Sequence, residues 1–344
     1  MLNLAGRKIT KTSPTFIIAE GCDNHLGKIE VAKKMIESAK ECGADCIKFQ
    51  HHLVDEEMLP NIPMSGNFDI PLYDFLKKYA LTIEQHKELK EHCEKVGIYY
   101  LCTPFSYAAA KELMQLDVDC FKIGSGEFTD LMGMEDIIKL KKQMIFSTGM
   151  LTRSEFEDTF IRVADLMDEQ DTSFAVLNCI SEYPPQYADV NLNFLSYMKT
   201  ICTPNLVGHS DHTPDNYTSF AAVVLGAKFI EKHFILDKSQ KGPDQSVSID
   251  PIGLKDLVDG IRKIECASGS IKILHPKEHQ IRDWAFRSVV SVVDIPKGTT
   301  ITRDMIYTKR PGTGIPSKCY KYLVGKVVDR DIPKNTLIEY KDLT

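Results

Sequence analysis

Between residues 15 and 267 the chain alternates a short apolar run with a stretch of helical spacing, and it does so eight times. The apolar runs lie at 15–19, 44–49, 98–103, 119–123, 144–147, 173–177, 205–207 and 227–230. The helical stretches that follow them lie at 29–41, 81–96, 107–116, 132–140, 154–167, 192–199, 215–224 and 254–267. Strands separated by helices do not form hairpins; they pair in parallel through crossovers that cover the sheet. Eight such units close a (β/α)8 TIM barrel, so the expected fold class is α/β. One interruption, MLPNIPMSGNFDIPLY at 58–73, is rich in Pro, Gly and Asn and reads as a long loop.

A barrel takes about 250 residues, and the chain has 344. Residues 1–268 are expected to form the barrel, 269–283 a linker containing Gly, His and Pro, and 284–344 a small β-rich domain. In that domain DIPKGT (294–299) and DIPKNT (331–336) repeat one loop, which suggests an internal duplication. Between them KRPGTGIP (309–316) carries Arg310 on an irregular projecting loop. The formal net charge of −6 argues against an extended nucleic-acid surface. No apolar run is long enough to cross a bilayer, and residues 1–15 lack the apolar core of a signal peptide, so a cytoplasmic protein without membrane contact is expected. The ten cysteines include no CxxC pair and read as buried thiols of a reducing compartment rather than as disulfides or a nucleophile.

Reacting groups of a TIM barrel gather at the C-terminal ends of its strands. Polar residues stand at or just beyond those ends here: Glu20, Lys48, Thr103, Lys122, Ser147, Tyr183, His212 and His233. Any one of them is ordinary; their recurrence in nearly every unit makes a polar rim. His212 in HSDHT and His233 in EKHF end consecutive strand-like segments, and neutral imidazoles suit a divalent ion that keeps positions open for water and substrate. His209 either orients a neighbour or fills the rim. Lys48 and Lys122 lie within apolar strands, where an unpaired ammonium is expensive to bury. They call for an anion, either a phosphate cradled by the turn Gly124, Ser125, Gly126 with Ser147 and Ser210, or a carboxylate such as Glu20, Glu127 or Glu231. A Schiff-base lysine is the other chemistry such residues allow.

The strings AEGCDNHLG, ADCIKFQ, CTPFS, FKIGSGE, STGM, SEYPP, HSDHT, EKHF and GPD, followed by KRPGTGIP, run in order over nearly the whole chain. In these motifs the chain resembles the sialic acid (N-acetylneuraminate) synthase family, which includes legionaminic acid synthases, and its last domain is similar to the antifreeze-like (SAF) domain. The resemblance implies condensation of phosphoenolpyruvate with the open-chain aldehyde of an N-acyl hexosamine, giving a nine-carbon 2-keto sugar acid and phosphate. It also implies a homodimer whose C-terminal domains are exchanged as lids. On this resemblance His212 and His233 would hold a divalent metal, Mn2+ first, with Mg2+ or Co2+ as alternatives. Lys48, Thr103, Lys122, Ser125, Ser147 and Ser210 would bind phosphoenolpyruvate. Asn67, Ser181, Tyr183 and Arg310 would contact the sugar, Glu20, Glu127 and Asp244 would manage protons, and Glu231 would orient its neighbours.

Two stretches depart from the family pattern. The loop GCDNHLG stands where GxNHxG is common, and His25 within it is a further candidate to which no role is assigned. Ser181 stands where some members using N-acetylmannosamine have Asn, while the retained GPD speaks against a pseudaminic acid synthase. The expected product is therefore N-acetylneuraminate or legionaminate. The competing readings are another phosphoenolpyruvate-dependent aldolase-type enzyme or metal hydrolase on the same barrel, and a non-catalytic carbohydrate-binding protein.

Overall fold

Alternation by two along each strand decides what the barrel contains. In a computed structural model that describes residues 1–64 and 68–344, the chain divides into two units, Met1–Gly269 and Ser270–Thr344. The first unit holds eight parallel strands: β1 (Phe16–Glu20), β2 (Cys46–His51), β3 (Tyr99–Pro104), β4 (Cys120–Ile123), β5 (Gln143–Ser147), β6 (Phe174–Cys179), β7 (Leu206–Asp211) and β8 (Phe229–His233). Hydrogen-bonded ladders join β4 through β8 in order, then β8 to β1, β1 to β2 and β2 to β3. β3 and β4 lie side by side, but no ladder joins them among the described residues, so the TIM-like barrel is closed everywhere except at this seam.

Residues at alternate positions face the bore. Phe16, Ile18, Cys46, Leu101, Cys120, Ile145, Leu177, Leu206 and Phe229 fill its N-terminal half. They pack with Leu2, Leu4 and Ile9 of a two-stranded hairpin, Leu2–Leu4 against Arg7–Ile9. What reads as a polar lead-in is thus a plug, each of whose buried aliphatic side chains stabilises the fold by about 1.5–3 kcal/mol. The residues one position along, such as Ile17, Ile47, Phe121, Phe146, Val207 and Ile230, belong to the larger core that includes buried residues of the surrounding helices. The parity that puts Phe229 in the bore also puts Glu231 and His233 there, at its C-terminal end.

Eight helices follow the strands: α1 (Ile29–Cys42), α2 (Ile83–Val96), α3 (Tyr107–Leu113), α4 (Leu131–Ile138), α5 (Arg153–Glu169), α6 (Phe194–Ile201), α7 (Tyr217–Val224) and α8 (Pro251–Ala267). Their ends carry the expected chemistry. Thr82 and Thr152 form capping boxes with Gln85 and Glu155, and Asp250 caps α8 with Pro251 in its first turn. Between β2 and α2 lie the helices Val54–Glu57 and Leu72–Tyr79, the second beginning within the stretch expected as a loop, and their Val54, Phe75 and Leu76 make a small separate cluster. Among the described residues no helix is long and apolar enough to cross a membrane.

In the second unit Ser288–Ser291 pairs antiparallel with Ile306–Lys309. Val289, Ile295, Ile301, Ile306, Leu323, Val328, Ile332 and Ile338 form its core. The two DIPK loops face each other. Ile295 and Ile332 exchange backbone hydrogen bonds of 2.8 Å in both directions. Asp331 accepts from the amide of Lys297 and Asp294 from that of Lys334, each at 2.7 Å. The sequence repeat is therefore a reciprocal structural pair. Part of the stretch expected as a linker is a helix, Pro276–Ala285.

Candidate active site

The C-terminal half of the bore opens into a cavity of about 400 Å³ lined by Glu20, Lys48, Thr103, Lys122, Ser125, Glu127, Ser147, Ser181, Tyr183, Ser210, His212, Glu231, His233 and Asp244. Thirteen of the fifteen residues marked in the sequence as site residues are in that lining, together with Glu231. Asn67 lies outside the described residues. Arg310 belongs to the second unit, where it is exposed, its guanidinium 5.6 Å over the Trp284 ring and its Nε donating to the Ala285 carbonyl at 3.1 Å.

Charge in the cavity is arranged around Glu231. Lys48 Nζ is 2.9 Å from Glu20 Oε2 and 3.1 Å from Glu231 Oε2. Lys122 Nζ is 3.9 Å from Glu231 Oε1 and donates to Ser147 Oγ at 2.6 Å and to the Ile123 carbonyl at 2.9 Å. Ser210 donates to Glu231 Oε1 at 3.0 Å, and Gln50 donates to Glu20 Oε1 at 3.1 Å. Burial lowers the Lys48 pKa to about 8, although Glu231 works the other way. Burial alone would raise the Glu231 carboxyl, but Lys122 and Lys48 hold it below the ordinary range. The balance is incomplete. Thr103 Oγ1 and Glu127 Oε2 are buried without a hydrogen-bond partner, and Glu20 Oε2 and Glu231 Oε2 share the single Lys48 ammonium. Unmet polar groups in a buried cavity are costly in the free protein and are satisfied by a polar ligand. Burial also pushes the Glu127 and Asp244 carboxyls up, which favours their protonated forms.

At the other wall the His212 and His233 rings are 5.1 Å apart, with Tyr183 stacked on His212 at 4.3 Å. His212 Nδ1 donates to the Ile180 carbonyl at 2.7 Å, which leaves Nε2 as its ligand atom. Burial and the neighbouring His212 hold His233 well below its ordinary pKa, in the neutral form a metal requires, and its Nδ1 is buried without a partner. Cys22, His233 and Asp244 each offer a ligand atom within 4.8 Å of the other two. The donor group thus extends beyond the pair of histidines expected from the motifs, and its nitrogen, sulfur and oxygen donors fit a divalent transition metal.

Several lining residues escaped the sequence reading: Cys22, Asp23, Gln50, His52, Glu57 and Cys179. His52 stacks on Phe105 at 4.3 Å, and its Nδ1 lies 3.0 Å from Glu57. The available signal was position, since Cys22 follows β1 by two residues and His52 follows β2 by one. His25 and His209 are absent from the lining. His25 Nδ1 accepts from the Gly27 amide at 3.0 Å and so shapes its own loop. His209 points out of the bore, donating from Nδ1 to the Asn178 carbonyl at 3.1 Å.

Residues 35–273 match the NeuB family and residues 286–344 the SAF domain. The N,N'-diacetyllegionaminic acid synthase of Campylobacter jejuni is 36% identical over 94% of this chain and 98% of its own length. The N-acetylneuraminate-9-phosphate synthase of Homo sapiens is 37% identical over 94% of this chain and 91% of its own. The crystal structure of the N-acetylneuraminic acid synthetase of Leptospira borgpetersenii superposes with a TM-score of 0.73 at 28% identity, covering 81% of this chain and 94% of that one.

Proposed function

The chain belongs to the NeuB family, and from that premise we propose that it is a phosphoenolpyruvate-dependent nonulosonic acid synthase. It joins phosphoenolpyruvate to the open-chain aldehyde of an N-acyl hexosamine and releases phosphate and either N-acetylneuraminate or legionaminate. The observation that carries this reading is the pair of buried lysines astride Glu231 in the same cavity as the His, Cys and Asp donors.

Lys48 and Lys122, with Thr103, Ser125, Ser147 and Ser210, bind the phosphate and carboxylate of phosphoenolpyruvate, and the unpartnered Thr103 hydroxyl gains an acceptor when they do. Ser181 and Tyr183 face the sugar. C3 of phosphoenolpyruvate forms the new bond to the aldehyde carbon, whose oxygen takes a proton from Glu127, a carboxyl whose pKa burial raises. C2 is left electron-poor, gains the oxygen of a water, and loses phosphate by cleavage of its C–O bond to become the keto carbon. Glu20, which lines the same cavity, takes the water's proton, and Asp244 is left to the ion. A divalent ion held by His212, His233 and Asp244, Mn2+ by the resemblance, would supply Lewis-acid polarisation of the aldehyde.

The test is phosphate release from phosphoenolpyruvate with N-acetylmannosamine or with 2,4-diacetamido-2,4,6-trideoxymannose, with products identified by mass. Preference for the first makes the enzyme an N-acetylneuraminate synthase, and preference for the second a legionaminate synthase. Release with neither, by folded and metal-loaded protein, overturns the reading. The same reading carries a cytoplasmic homodimer in which Arg310 reaches the sugar in the partner's barrel. Mixed His233→Ala and Arg310→Ala subunits then recover one working site per heterodimer, and verified heterodimers without activity count against the exchange.

A further inference from the structure

A site built on two histidines has no need of Cys22, yet the chain holds this residue in an unfavourable conformation. Its φ is +43°, in the left-handed region where a β-carbon is crowded and glycine is not. The side chain is 6% exposed, and Sγ lies 3.0 Å from Asp244 Oδ2, to which it donates. One ligand atom from each of Cys22, His233 and Asp244 lies within 4.8 Å of the other two. Ligand atoms bonded to one ion at about 2.0–2.3 Å lie at most about 4.6 Å apart, so the three stand close to that spacing and would draw together on binding. His233 adds an independent sign of a missing ligand, because it is also 6% exposed and its Nδ1 is sealed from solvent with no partner.

We propose that Cys22 is a thiolate ligand of the divalent ion at the barrel mouth, beside His233 and Asp244, and that its sulfur makes the site prefer Zn2+ or Co2+ to Mn2+ and Mg2+. Thiolate favours borderline and soft ions, whereas a site of carboxylate and water favours the harder ones. On binding, the thiol proton passes to solvent, a sulfur lone pair fills one coordination position, and no oxidation state changes. Asp244, which accepts the thiol hydrogen bond in the free protein, is released by the same event to face the ion. The inference rests on the metal-assisted reading of this cavity but not on which sugar is used.

Three full-length proteins test it: wild type, Cys22→Ser and Cys22→Gly. Serine keeps a hydrogen-bond donor toward Asp244 without the soft ligand, and glycine adopts the left-handed backbone freely, so loss of folding is not the expected outcome for both. Metal-free wild-type protein titrated with Co2+ is expected to show the intense near-ultraviolet thiolate-to-cobalt band, and both variants to bind Co2+ without it. Zn2+ affinity is expected to fall at least about tenfold in the serine variant, with Mn2+ affinity nearly unchanged. Folded wild type that binds no Co2+, or binds it without the band, overturns the proposal, as does a serine variant with wild-type Zn2+ affinity. If neither variant folds, the wild-type cobalt spectrum decides alone. A missing band with normal turnover sinks only the sulfur ligand, while a clear band with no turnover on either sugar sinks the synthase reading instead.

Discussion

β7 and β8 bury charge on both of their faces, and the two faces treat it differently. On the outer face Asp211 accepts from the amide and hydroxyl of Thr213 at 2.8 Å each, from Thr218 at 2.7 Å and from Ser219 at 2.6 Å. It also lies 3.2 Å from Lys232 Nζ, which donates to the Thr213 carbonyl. Although burial alone would raise this carboxyl, Lys232 and its other partners hold it far below the ordinary range. On the inner face Glu231 accepts a hydrogen bond from Ser210 at Oε1, and its Oε2 meets the Lys48 ammonium at 3.1 Å, a cation it shares with Glu20. A buried charge whose acceptor capacity is filled by protein is an anchor; one left short at a cavity wall has capacity to give a ligand. The inner and outer residues alternate one by one through HSDHT and EKHF.

The comparison breaks most visibly at the anchor. Asp211→Asn leaves Lys232 buried without its countercharge and is expected to cost about 3–5 kcal/mol of stability, measured by urea unfolding, with the turnover of the remaining folded protein near wild type. Unchanged unfolding would show that the outer pair anchors nothing. Lys122→Met removes charge from the inner face. It is expected to lower kcat/KM for phosphoenolpyruvate about 10²–10³-fold while leaving unfolding unchanged or improved, as is common where function holds strained polar groups. A stability loss as large as that of the Asp211 variant would erase the distinction between the faces. The smallest effect sharpens it through pH. Lys48 loses its proton as pH rises through about 8, so the free enzyme loses a cation for the substrate there. kcat/KM for phosphoenolpyruvate falls above that pH, whereas kcat is flatter because the bound anion holds the proton on. Lys48→Arg, which stays charged, should not show the fall; an unchanged alkaline limb in that variant assigns the titration elsewhere.

The barrel and most of its lining were legible because strand parity and strand ends are local properties. Once Phe229 is inside, Glu231 and His233 follow without any knowledge of the neighbours. The plug was not legible, since Leu2, Leu4 and Ile9 are three aliphatic residues in a polar stretch and acquire meaning only against Phe16, Leu101 and Phe229. Cys22 was hidden by its residue type, because a cysteine after an apolar run is usually a passive thiol. His52 and Glu57 depend on a ring stacked across β2 and β3, where Phe105 lies just beyond Pro104. His209 shares a motif with His212 but has the opposite parity, and that parity is what separates a lining residue from a packed one.

The unladdered seam between β3 and β4 gives the barrel a compliant joint. Elsewhere, widening the bore means stretching a row of backbone hydrogen bonds; here it means sliding side chains past one another. The strands that flank the joint carry Thr103 and Lys122, and the turn from Gly124 to Glu127 follows the second of them. The span between Thr103 and Lys122 therefore crosses the joint. An anion gripped from both sides would act as a rivet across the joint, slowing the hydrogen exchange of edge amides that no neighbouring strand protects.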